Sequence, residues 1–140
     1  MFKYNPRVLV VFIEAFKGNL KMAEFLLEYY PELAAFIGAI KNDEKGYDWL
    51  TKHKFLRLAA LHDALDSDFK AYKWLQDNKY MEDAIFAKAV HKDQDAIEWL
   101  NKNYPVLRHV AELISTYHDN LQKKDDTFGA ILQKIVKPLG

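Results

Sequence analysis

Five histidines (His53, His62, His91, His109 and His118) and carboxylates such as Asp63, Asp95 and Asp119 are the side chains through which this chain could bind a metal or move a proton. A metal site on a helix needs two ligands on one face, as in His-x-x-x-His. No two histidines are spaced that way, and His91 and Asp95, which are, have a turn expected between them. Paired acids such as Asp66 with Asp68, or Glu82 with Asp83, have the form of a general acid and base. Helix caps and solvated faces account for them better. Ser67, Ser115 and Thr116 lie in no nucleophile motif, and the five glycines form no phosphate loop. The absence of cysteine excludes a thiolate zinc site, a disulfide and a cysteine nucleophile. No catalytic residue, metal ligand or cofactor is therefore assigned.

The elements that would hold these groups recur along the chain. Asp93–Leu100 reads D-Q-D-A-I-E-W-L, and related octets start at Asp68, Asp43 and Asn19. The aromatic anchors are Phe25, Trp49, Trp74 and Trp99, in steps of 24, 25 and 25 residues. Six positions before each stands Asn19, Asp43, Asp68 or Asp93, ten before each an alanine (Ala15, Ala39, Ala64, Ala89), and one after each a leucine. A fixed period of this size marks a stacked array. The spacing predicts pairs of short helices: Arg7–Lys17 with Leu20–Tyr29, Pro31–Lys41 with Glu44–His53, Phe55–Leu65 with Phe69–Asp77, and Met81–His91 with Gln94–Lys102. Pro6, Pro31 and Pro105 suit first helical positions, and the Asp/Asn column suits N-caps, worth roughly 0.5–2 kcal/mol each. A last helix runs from Pro105 to about Tyr117. A turn is expected at His118–Asn120, a polar stretch over Leu121–Asp126, and a resumed apolar helix at Thr127–Val136. The chain is read as a single domain, 1–140, with units at about 5–30, 31–54, 55–79 and 80–104 and a divergent C-terminal unit, 105–140. Terminal units of an array lack one neighbour and are expected to differ.

Two columns are assigned to the core: the Phe/Trp anchors, for whose three tryptophans an exposed aromatic ladder for a peptide or ligand is the competing reading, and Phe12, Phe36, Leu61 and Phe86 thirteen residues before them. The next column holds Ile13, Ile37, His62 and Ala87, so a titratable group replaces an apolar one, and a partly buried, hydrogen-bonded histidine is expected. The polar positions on the first helices vary between units: Glu14, Lys17, Lys41, Arg57, His62, Asp63, Asp66, Lys88 and His91. They are the candidate binding face, with a plain solvated face the competing reading.

Ala15–Leu27, A-F-K-G-N-L-K-M-A-E-F-L-L, resembles the ankyrin repeat, with its small residues, Gly-Asn turn and second helix ending in paired leucines. The Trp-Leu pairs of later units look like divergent copies of the same feature. The likeness covers about residues 6–117. The T-P-L-H opening and the hairpin segment of that family are absent, and the period is eight or nine residues shorter than 33. The resemblance thus implies stacked helix pairs without β-hairpins, in an all-α, helix-pair repeat solenoid.

Twenty basic and twenty acidic residues cancel, which argues against a dedicated nucleic-acid or anionic-membrane partner. The apolar run Val8–Ile13 is too short for a membrane span, so a soluble, cytoplasmic protein is expected. Repeat arrays in general suggest protein–protein interaction with a partner the sequence does not name. The other readings are a small enzyme or ligand-binding protein built on His62, His91 and nearby acids, and a self-associating structural subunit forming a homo-oligomer.

Overall fold

The structure, a computed structural model, describes the backbone of residues 1–136 and the side chains of residues 1–121. Among the described residues the protein is all-α: α1 (Pro6–Phe16), α2 (Leu20–Tyr29), α3 (Pro31–Ile40), α4 (Glu44–Lys52), α5 (Leu56–Leu65), α6 (Phe69–Asp77), α7 (Met81–Val90), α8 (Gln94–Asn103) and α9 (Pro105–Val136). No helix among them is long and apolar enough to cross a membrane.

One local device joins the two helices of each pair. Gly18, Asn42, Ser67 and Lys92 take the left-handed conformation, with φ of 106, 64, 69 and 70°. Each lets the next backbone amide reach back to the ending helix: Asn19 N to Glu14 O, Asp43 N to Gly38 O, Asp68 N to Asp63 O and Asp93 N to Lys88 O, at 2.8–3.0 Å. The same four residues then cap the next helix. Asn19 accepts from the Met22 amide, Asp43 from Lys45, Asp68 from Lys70 and Ala71, and Asp93 from Ala96. One residue thus closes one helix through its backbone and opens another through its side chain.

The uneven period has a related cause. Lys54 and Lys79 are also left-handed, with φ of 63 and 64°, and connect the second and third units to their successors. Between α2 and α3 that residue is missing. Tyr30 follows α2 directly, its amide bonded to Leu26 O at 2.7 Å, and Pro31 begins α3. The first step between anchors is one residue shorter for this reason.

The first helices of the pairs touch in succession, α1 to α3, α3 to α5, α5 to α7 and α7 to α9, and α1 also touches α9. The circuit therefore closes. Phe16 meets Tyr117 edge-on at 5.5 Å at one end, and Phe2 meets Phe86 and Tyr104 at 6.4 and 4.9 Å at the other. The core is one cluster in which Phe12, Phe36, Leu61 and Phe86 are fully buried, as are Leu26, Leu50, Leu75 and Leu100. Each such side chain contributes roughly 1.5–3 kcal/mol of burial.

Three expectations change. The anchor column is not interior: Trp74 is 37% and Phe25 39% exposed, and Trp49 and Trp99 are partly buried. These rings pack instead on an aromatic residue of the following connection, Tyr30, Phe55, Tyr80 or Tyr104, at 5.6–6.3 Å. Tyr29, which the helical spacing of Met22, Phe25 and Leu26 on Leu20–Tyr29 places among the expected buried positions, is exposed. The turn expected at His118–Asn120 is absent, and α9 runs unbroken to Val136. His118–Asp126 contains neither Gly nor Pro to stop a helix. The side chains of the expected apolar stripe at Phe128–Val136 lie outside the described residues.

Candidate functional site

The first helices end at one edge of the molecule, and there each unit reaches back to its predecessor with a nitrogen. Lys41 Nζ donates to Phe16 O at 2.5 Å, His62 Nε2 to Ala39 O at 3.0 Å and His91 Nε2 to Ala64 O at 3.1 Å. The last carbonyls of a helix lack intrahelical partners and carry the negative end of its dipole, so a cationic or N–H donor is favoured there. Burial lowers the Lys41 pKa from its ordinary value, while its ammonium lies over the rings of Phe16 and Tyr117 at 4.5 and 5.8 Å.

Between successive turns this edge is notched three times, in register with the repeat. The first notch, of about 340 Å³, is lined by Ala39, the turn Asn42–Glu44, Tyr47, Asp48 and His62. The second, of about 410 Å³, is lined by Ala64, the turn Ser67–Phe69, Tyr72, Lys88 and His91 among others. The third, of about 230 Å³, has Ala89, Lys92 and Ile97 in the corresponding places and Arg108, Glu112 and Thr116 opposite. The alanine column leaves the space, because a larger side chain there would fill the notch.

Polar groups in the first notch are bonded in a chain. The Tyr47 hydroxyl donates to Asp63 Oδ2 at 2.8 Å, and burial together with this acceptor pushes its pKa up to about 12. His62 Nδ1 lies 3.2 Å from Asp63 Oδ1, and its Nε2 lies 3.6 Å from Asp66 Oδ2 as well as facing Ala39 O. Both ring nitrogens lie against oxygen atoms of the protein, so neither faces open space in the notch. The expectation of a partly buried, hydrogen-bonded His62 is met. The second notch is different in character. Phe69 is 74% exposed at its lip, Lys88 Nζ lies 5.6 Å over the Tyr72 ring, and Lys92 pairs with Asp119 at 2.8 Å. His118 lies close enough to feel Asp66, His91 and His62, and burial lowers its pKa below the ordinary histidine value. No group of three potential metal ligands forms among the described residues.

Of the polar first-helix positions, Lys41, His62, Asp63, Asp66, Lys88 and His91 meet at this notched edge. Arg57 does not. It lies at the opposite edge, where its Nε and Nη2 bind the fully buried Asp83, with Nη2 to Oδ1 at 3.3 Å. Its guanidinium also covers the Tyr80 ring at 4.3 Å. Glu14 is partly buried in α1, and Lys17 is the exposed residue that closes that helix. Sequence reasoning missed Tyr47 and Tyr72, and it read Asp83, with Glu82, as a capping or solvated acid, whereas Asp83 is fully buried against Arg57. The first two stand two residues before a tryptophan anchor, and Asp83 occupies a column otherwise filled by Leu9, Leu33 and Leu58. Both signals were present in the repeat.

No protein-family model matches the chain, and no curated protein or solved structure is significantly similar to it.

Proposed function

We propose that the protein is a protein-interaction module built on stacked helix-pair repeats, with an ankyrin-like plan lacking hairpins, and that an extended segment of its partner lies across the notched edge. The observation that carries this reading is the recurrence of one notch with changing chemistry. Ala39, Ala64 and Ala89 recur at the base of the notches, each beside a residue of the adjoining turn, around volumes of about 230 to 410 Å³. The cap carboxylate is common to the first two notches, as Asp43 and Asp68, and the other polar groups vary, from Glu44, Asp48 and His62 in the first to Lys88, His91 and Lys92 in the second. A series of equivalent pockets with different polar linings can read successive side chains of one chain. The test is selection from a random peptide display library, followed by mapping of amide shifts with the best binder. Shifts confined to the notches, with binding weakened by Lys88→Glu, support the reading. A library that yields no binder, or shifts confined to another surface, refutes it.

A second reading is favoured by the first unit, where Val10, Leu20, Leu27 and Tyr29 are 50–76% exposed. Leu20 and Leu27, two turns apart on one face of α2, expose apolar surface of the kind that marks association sites, which fits a self-associating subunit. Sedimentation equilibrium decides this. A single monomeric species across the concentration range, unchanged by Leu27→Lys, removes it.

A further inference from the structure

We infer that the edge opposite the notches carries a binding site for an acidic peptide segment presenting a large apolar side chain. A cavity of about 350 Å³ lies there at the start of α5. Its lining mixes polar and apolar groups, and the apolar side chains are open to solvent: Leu56 is 53% exposed and Trp74 37%, with Phe55 and Tyr80 beside them. Its charged lining residues are Lys3, Lys54 and Arg57, with no carboxylate among them. Each of the three notches, by contrast, includes carboxylates: Asp68 and Asp93, Asp43 with Glu44 and Asp48, and Glu112 with Asp119. In a chain whose charges balance, twenty against twenty, this is a local segregation of cations around exposed aromatic surface.

Arg57 is fixed rather than mobile, since Asp83 holds it from below and Tyr80 supports its plane. Asp83 is fully buried and offers no oxygen to a ligand, but its charge offsets that of Arg57, so the net positive charge of the cavity rests on Lys3 and Lys54. The first turn of α5 has no side-chain cap, so the positive end of its dipole adds to the same field. The occupant follows from size and charge. A pocket of this volume takes a small ligand or a single bulky side chain, and the cations around it match flanking carboxylates. A nucleic acid or an anionic membrane would call for a basic face extending well beyond one cavity.

The test uses the full chain and fluorescence anisotropy with a dye-labelled probe peptide, Leu-Phe flanked on each side by two glutamates. The expected result is binding that weakens at least tenfold in the Lys3→Glu/Lys54→Glu variant, whose two sites are exposed, and is unchanged in Lys21→Glu, an exposed site on α2 that lines neither the cavity nor a notch. Peptides with lysines for the glutamates, or with glycines for the Leu-Phe centre, should bind at least tenfold more weakly. The inference is overturned by absence of binding, by equal affinity in the double variant, or by equal affinity of the glycine peptide. It is also overturned if single-stranded DNA binds more tightly than the peptide with the same sensitivity to the double variant. Loss of peptide binding in Lys88→Glu alone would overturn this site while leaving the notched edge as a binding surface.

Discussion

Gly46 stands inside α4, where glycine costs about 1 kcal/mol relative to alanine. Its neighbours explain it. A Cβ at Gly46 would lie 2.5 Å from Ala35 O and 2.7 Å from Ala39 N, both backbone atoms of α3. Backbone cannot rotate away, so Gly46→Ala must push α4 off α3. Overpacking of this kind costs about 1–3 kcal/mol, and rigid contacts on two sides place it at the upper end. Set against the propensity gain, the net loss is about 2 kcal/mol. Gly38, on the facing helix, provides the control. Its added Cβ would meet Asp43 Cβ at 3.7 Å and Gly46 Cα at 3.8 Å, ordinary contact distances. Gly38→Ala should therefore keep the propensity gain of about 1 kcal/mol. At roughly 3–4 °C per kcal/mol for a chain of this size, scanning calorimetry should show Tm falling by about 6–8 °C for Gly46→Ala and rising by about 3–4 °C for Gly38→Ala. Equal shifts in the two variants, or a higher Tm for Gly46→Ala, would refute the close crossing of α3 and α4.

Three further outcomes are expected. Leu75→Ala, at a fully buried position, should cost about 2–5 kcal/mol in urea unfolding, and Trp74→Ala, beside it and 37% exposed, clearly less; the reverse order would place the tryptophan row in the core. Arg57→Met should cost about 3–5 kcal/mol by stranding the fully buried Asp83, whereas Asp83→Leu with Arg57→Met should be close to neutral, because a buried ion pair offsets little more than its own desolvation; a large loss in the double variant would contradict this. His118 has a lowered pKa in the fold, so the unfolded chain binds the proton more readily, and its contribution is complete above the ordinary value of 6.5 and lost as pH falls through the folded value; the Tm of the native chain should therefore drop more steeply below pH 6.5 than that of His118→Gln, and parallel curves would exclude the effect.

Helix existence and limits were legible because punctuation was local. α2 and α6 begin and end where the caps and the neighbouring Gly, Pro and Asn residues predict, and the other short helices agree within a residue or so. The assignment of the core was legible only in part. Trp74 and Leu75 recur with the same period, and periodicity identifies a recurring column without saying which of two adjacent columns faces inward. The helical rotation between them, about 100°, puts the leucine in the core and turns the ring toward the next connection. The contact of α1 with α9 and the pairing of Arg57 with Asp83 join residues far apart in sequence, and no local pattern encodes them. The six first-helix residues at the notched edge were picked by their variability, yet the same criterion also picked Arg57, which faces the other way.

The two positions where a polar group enters a column otherwise apolar mark the two edges. His62 replaces isoleucine or alanine, and Asp83 replaces leucine. A repeat core admits such a change only if the group finds partners, since an unpaired buried polar atom costs several kcal/mol. His62 finds Ala39 O and Asp63, and Asp83 finds Arg57. In both cases the partner also shapes a cavity: Asp63 holds Tyr47 at the first notch, and Asp83 holds Arg57 at the cationic pocket. The leucine and phenylalanine columns can serve stability while these departures fix a polar side chain at the surface. On this argument Asp83→Leu with Arg57→Met preserves the fold but removes a fixed cation from the pocket, and its effect on peptide binding separates the two roles of the pair.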